Sequence, residues 1–98
     1  MKYDVIIIGA GVAGLYAAMH LPRTKKVLII NKRETFKCNS IYAEGGIALA
    51  IDAEDIPLHV QDTLDAGAGL CNEEAVRVLS ENSRAIIDDL IARGFHFD

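Results

Sequence analysis

Asp4-Val5-Ile6-Ile7-Ile8-Gly9-Ala10-Gly11-Val12-Ala13-Gly14 is the stretch on which the reading of the fold turns. Its first part is a short apolar run rich in β-branched residues, which reads as a strand buried on both faces. A glycine-rich turn follows at once. Leu15-Tyr16-Ala17-Ala18-Met19-His20-Leu21 continues with good helix formers, and Pro22 ends that segment. Lys26-Val27-Leu28-Ile29-Ile30 reads as a second buried strand. Strand, glycine turn, helix and strand within residues 3–31 make the dinucleotide-binding unit of an α/β, Rossmann-like fold.

The three glycines have separate physical jobs in that reading. Gly9 permits the tight turn off the strand. Gly11 has no side chain, so a pyrophosphate can approach the backbone. Gly14 lets the helix pack closely against the sheet. The amides of the first helical turn and the positive end of the helix dipole would then face the phosphates. The alternative is a strand-to-helix turn that uses glycine only for packing.

Composition narrows the classes. The 98 residues are enough for one small domain. With 51% hydrophobic and 24% charged residues, the chain is globular rather than disordered. A formal charge of −4 and a sequence pI of about 5.2 argue against a nucleic-acid surface. No apolar run approaches the roughly 20 residues that span a bilayer, so no membrane partner is expected. The N-terminal apolar run follows Lys2 and Asp4 and lacks a small-residue cleavage site, which reads as strand and not as signal peptide. Cys38 and Cys71 are too few for a disulfide framework and not spaced as a metal site. They read as reduced thiols of a cytoplasmic protein, with a regulatory disulfide as the alternative.

A doubly wound sheet needs several βαβ units to cover both faces. This chain supplies one and then mostly helix. Residues 1–98 therefore read as the opening piece of a larger protein, an incomplete part of a dinucleotide-binding domain.

Beyond the first unit, Asn31 stands where such folds place an acidic ribose ligand, close to the usual spacing of about 20 residues. An amide bonds a ribose hydroxyl more weakly than a carboxylate. Lys32 could reach adenine, ribose or phosphate; with Arg33 it could equally be a solvated turn. Residues 38–50 combine small residues, the Gly45-Gly46 pair and hydroxyl and amide side chains. Such a segment can run close to a flat ligand. Composition alone favours a β-turn and an edge strand.

Asp52 to Asp55 reads as an acidic loop. Pro57 suits a first helical turn, with the helix running to about Ala66 and Gly67-Ala68-Gly69 ending it. His59 and Asp62 share a face and read as a local hydrogen-bonded pair rather than as catalysts. Asn72-Glu73-Glu74 caps a further helix with apolar stripe Val76, Leu79, Ser83, Ile86, Ile87 and Leu90, closed by Gly94. Phe95-His96-Phe97-Asp98 looks like the lead into a strand.

Three motifs follow one another: Gly9-Ala10-Gly11-Val12-Ala13-Gly14, Ser40-Ile41-Tyr42-Ala43-Glu44-Gly45-Gly46-Ile47 and His59-Val60-Gln61-Asp62-Thr63. In this order and spacing they resemble the flavoprotein family of succinate dehydrogenase, fumarate reductase and L-aspartate oxidase. Asp62-Thr63-Leu64-Asp65-Ala66-Gly67-Ala68-Gly69-Leu70-Cys71 and Arg93-Gly94-Phe95-His96-Phe97-Asp98 look most like the L-aspartate oxidase branch.

The resemblance implies FAD as cofactor. Gly9 to Gly14 would form the turn, with Ala10 to Ala13 facing the pyrophosphate. Asn31 and Lys32 would take the adenosine side. Asn39, Ser40, Ile41, Tyr42, Ala43, Glu44, Gly45 and Gly46 would run along the diphosphate toward the flavin ring. Family enzymes move a hydride between the flavin and a four-carbon dicarboxylate. The branch in question oxidises L-aspartate to iminoaspartate with O2 or fumarate as acceptor, feeding quinolinate synthase in NAD biosynthesis.

The chain departs from the family in two places. Membrane-bound members tether FAD through a histidine where this chain has Asn39, which implies non-covalent FAD. The family usually has Gln where Glu44 stands, and a carboxylate near the flavin would disfavour its reduced anion. The substrate-binding and acid/base residues of the family lie beyond the equivalent of Asp98. The segment by itself is expected to be inactive and to self-associate. Other readings are a soluble fumarate reductase and a non-catalytic nucleotide-binding module.

Overall fold

Two parallel strands open the computed structural model, β1 (Val5–Ile8) and β2 (Val27–Ile30), paired in the register Val5↔Val27 to Ile8↔Ile30. The structure describes residues 1–34, 37–43 and 45–97. It contains two compact units, Met1–Gly45 and Gly46–Asp98.

In the first unit, bonds beyond the strands lengthen the ladder. The Asp4 amide donates to the Lys26 carbonyl (2.9 Å), and the Gly9 amide to the Ile30 carbonyl (2.7 Å). The Asp4 carboxylate accepts the Lys26 amide at 2.8 Å. Helix α1 (Val12–Met19) crosses between the strands and packs on β1. It starts three residues earlier than its helix formers suggest, because Gly11 acts as an extended N-cap immediately before it. It ends at Met19, earlier than expected. The His20 and Leu21 amides turn to the Ala17 and Ala18 carbonyls (both 3.2 Å). Pro22 disfavours a helical Leu21 and forces this tightening. A single helical turn, α2 (Asn39–Tyr42), follows.

Neither strand is buried on both faces in this chain. β1 alternates: Val5 and Ile7 are half-buried, while Ile6 and Ile8 are exposed. The physical reason is that α1 covers one face. Gly14 brings α1 so close to β1 that a Cβ there would collide with the Gly9 carbonyl and lie 3.2 Å from the Ile7 Cγ2. Among the described residues of this unit no second helix covers the other face.

The second unit is a helical hairpin of α3 (Ile56–Gly67) and α4 (Glu73–Ala92). Ala68 in the left-handed region (φ 50°) and Gly69 (φ +87°) reverse the chain. The Asn72 side chain caps α4 by accepting the Ala75 amide at 2.9 Å. Gly94 (φ +100°) closes it: Phe95 N donates to the Leu90 carbonyl (3.1 Å) and Gly94 N to Ile91 (3.0 Å). Phe95 belongs to this cap, and residues 95–97 form no strand.

The face of α4 turned to α3 is Val76, Ser80, Ser83, Ile87 and Leu90: four residues of the expected stripe are on it, and Ser80 takes the place of Leu79 and Ile86. Leu79 and Ile86 are exposed, and Ser80 is the most buried of the described residues, 1% exposed. A serine can replace an apolar residue there because its hydroxyl is bonded. Ser80 Oγ lies 2.6 Å from His59 Nδ1. The expected His59–Asp62 pair is therefore not formed. α3 packs through Ile56, His59, Val60, Thr63 and Leu64, and Asp62 stays exposed beside that stripe.

Candidate functional site

The first unit holds an open cleft of about 420 Å³. Its floor is the Gly9-Ala10-Gly11 turn, one wall is the end of β2 with Asn31, Lys32 and Arg33, and the other is Lys37, Cys38, Asn39, Ser40 and Tyr42. Its size lies within the usual range of small-molecule sites, about 300–1,000 Å³. Three segments far apart in sequence meet here because the parallel register carries Gly9 to the level of Ile30.

The turn has the geometry that backbone recognition of an anion needs. Gly9 has φ +111°, a conformation that side-chain-bearing residues rarely adopt. Gly11 presents bare backbone, and a Cβ placed on it would sit 3.3 Å from Ser40 Oγ. The first turn of α1 contributes the Val12, Ala13 and Gly14 amides. Val12 donates to Ser40 Oγ at 3.0 Å. Among the described residues no acceptor reaches the Ala13 and Gly14 amides, as expected at a helix start. The helix dipole adds positive potential there.

Side-chain charge points the same way. Lys32, Arg33 and Lys37 all line the cleft, in a chain whose formal charge is −4. Lys37 also lies 3.2 Å from the Glu34 carboxylate, but both groups are well exposed, so this pairing holds the lysine only weakly. Asn31 is turned inward on its own loop, its Nδ2 donating to the Arg33 carbonyl at 2.9 Å. That bond orders the turn on which Lys32 and Arg33 stand.

Of the residues singled out from sequence, the cleft gathers Gly9, Ala10, Gly11, Asn31, Lys32, Asn39, Ser40 and Tyr42. Val12, Ala13 and Gly14 lie behind the turn in α1. Ile41 (53% exposed) and Ala43 do not line the cleft. Glu44 lies outside the described residues. Gly45 (φ +103°) ends the first unit and Gly46 begins the second. Residues 39–42 form a helical turn instead of the expected β-turn, and no edge strand follows among the described residues. Arg33, Lys37 and Cys38 were not anticipated as lining residues. The clustering of four cations at 32, 33, 37 and, further back, 26 was the available signal.

Cys38 and Cys71 are both free thiols. Among the described residues no group of His, Cys, Asp or Glu could hold a metal ion, and no helix is long and apolar enough to cross a membrane.

A glycine cradle, a helix start and a cationic rim on one cleft fit the diphosphate of a dinucleotide. Comparison with known proteins gives the family. The FAD binding domain family matches residues 4–98. L-aspartate oxidase 1 of Ralstonia nicotianae is 47% identical over 98 residues, which cover 99% of this chain and 18% of that protein. L-aspartate oxidase of a Nostoc species is 44% identical, covering 99% of the chain and 17% of the relative. L-aspartate oxidase of Clostridium acetobutylicum is 45% identical, covering 100% and 23%. The chain thus spans about a fifth of the length of these curated relatives. With a parallel βαβ unit, a glycine turn at its switch from strand to helix and a match across residues 4–98, the chain belongs to the FAD-binding domain family, and its cofactor is FAD.

Proposed function

We propose that the chain is the N-terminal part of the FAD-binding domain of an L-aspartate oxidase, a flavoenzyme that converts L-aspartate to iminoaspartate. The observation that carries this reading is the identity of 44–47% over the whole chain to relatives of that name, on top of a cleft built for a dinucleotide. FAD, when bound, supplies the two-electron acceptor. The chain's own residues hold it.

In this reading the Gly9–Gly11 backbone admits the diphosphate, the Ala13 and Gly14 amides donate toward it, and Lys32, Arg33 and Lys37 neutralise its charge. Asn31 and Lys32 border the adenosine side. Asn39, Ser40, Ile41, Tyr42 and Ala43, with Glu44, Gly45 and Gly46, lead toward the flavin ring. An asparagine at 39 offers no ring nitrogen for a flavin bond, so attachment is non-covalent. Substrate binding and proton transfer are assigned to residues outside this chain, together with a substrate-capping domain. Electrons pass on to O2 or fumarate, and iminoaspartate goes to quinolinate synthase in NAD biosynthesis, in the cytoplasm.

The test is anaerobic addition of L-aspartate to the FAD-loaded full-length protein. The visible flavin absorbance should bleach with L-aspartate and not with succinate at the same concentration. Bleaching by succinate without any response to L-aspartate would move the protein to the dehydrogenase branch, a soluble fumarate reductase.

A further inference from the structure

In dinucleotide-binding folds the end of the second strand decides what the adenosine ribose carries. A carboxylate there bonds a free 2′-hydroxyl, whereas a nearby arginine accommodates a 2′-phosphate. Asn31 is the first residue past β2, and the Ile30 carbonyl just before it accepts the Gly9 amide at 2.7 Å. The Asn31 Nδ2 donates to the Arg33 carbonyl at 2.9 Å. That bond needs a donor. An ionised carboxylate only accepts, and would face the carbonyl oxygen with like charge. The turn is therefore built around a neutral residue, and two cations follow it. Lys32 and Arg33 are exposed and line the cleft, and among the described residues no acidic side chain lines it. No described carboxylate pairs with either cation.

We propose that the Asn31–Arg33 turn is a phosphate subsite, and that the cleft takes adenine nucleotides phosphorylated at the ribose 2′ position in competition with FAD. This rests on the reading above, in which Asn31 and Lys32 border the adenosine side. A phosphate monoester carries about −1.5 to −2 charge at pH 7. The Arg33 guanidinium has paired N–H groups that match two phosphate oxygens, and Lys32 adds a point charge. Asn31 sets no like charge beside them. The diphosphate also has the glycine turn and the start of α1 to receive it, so the cations at the end of β2 keep capacity for a second anion. FAD has only a hydroxyl at the 2′ position and does not draw on that capacity.

The experiment uses the full-length protein stripped of FAD. Adenosine 5′-diphosphate and adenosine 2′,5′-bisphosphate compete with FAD for rebinding, read by the quenching of flavin fluorescence. The 2′,5′-bisphosphate should bind about ten-fold more tightly than the 5′-diphosphate. The ratio of the two dissociation constants is the readout, because it cancels any general effect of a variant on the cleft. Arg33→Gln and Asn31→Asp should each bring that ratio close to unity, the first by removing the fork and the second by adding a like charge. Equal or weaker binding of the 2′,5′-bisphosphate by the wild-type protein would overturn the proposal. So would a wild-type ratio in either variant, which would place the phosphate elsewhere. These outcomes leave the FAD reading of the cleft standing. If neither nucleotide competes with FAD, the adenosine side is not at Asn31, and that reading falls together with the proposal.

Discussion

The Ser40 hydroxyl accepts the Val12 amide at 3.0 Å, joining two residues 28 positions apart. The bond ties the turn of α2 to the first amide of α1 and closes one side of the cleft. It is exposed, so its contribution to folding is small, under about 1 kcal/mol. Its importance is geometric. Ser40→Ala should leave the melting temperature nearly unchanged and weaken FAD binding several-fold. An FAD titration checks this, and an unchanged Kd would remove Ser40 from the site.

The glycines divide sharply by what surrounds them. Gly14→Ala drives a methyl into the Gly9 carbonyl, which is backbone and cannot swing aside. It should cost about 1–3 kcal/mol in chemical denaturation and lower flavin content as α1 is pushed off β1. Gly46 has nothing within 4 Å of a built Cβ. Gly46→Ala should therefore alter stability by no more than about 0.5 kcal/mol, so that any loss of FAD in that variant reports on the cofactor and not on the fold. Equal destabilisation by both substitutions would contradict this division.

Asn39 lines the cleft but brings no nucleophilic nitrogen. Acid precipitation of the yellow full-length protein should release all of its FAD into the supernatant. Flavin fluorescence that stays with the polypeptide on a denaturing gel would show a covalent link formed elsewhere.

The outer face of the β1–β2 pair is open, with Ile6 at 56% and Ile8 at 87% exposure. Contiguous apolar surface of this kind marks an association site. The 98-residue chain should self-associate in sedimentation velocity at micromolar concentration and bind FAD weakly. A monomer with the FAD affinity of an intact flavoenzyme would favour a self-contained nucleotide-binding module.

What could be read from sequence was whatever is encoded locally. The β-branched runs gave both strands, Pro57 and Asn72 gave the starts of α3 and α4, and Gly94 gave a helix end. The glycine spacing located the floor of the cleft. What escaped was set by tertiary partners. Ser80 is polar and carries no core signal, yet it is buried because His59 reaches it from another helix. The same bond removes His59 from Asp62, its partner by helical spacing. Lys37 and Cys38 line the cleft only because α2 returns to the start of α1, a closure that no local pattern announces.

The Asp4 carboxylate on the Lys26 amide has a consequence for the cleft at the far end of the ladder. Parallel strands can slide past each other only in whole-residue steps, each about 3.3 Å. Asp4 latches one end of the pair and the Gly9–Ile30 bond the other. The distance from the glycine turn to Lys32 and Arg33 is thus quantised by strand alignment. It cannot be tuned by small adjustments, and a slip of one step would reverse which side chains face α1. The Lys32–Arg33 wall and the glycine floor of the cleft are in register together, or neither is.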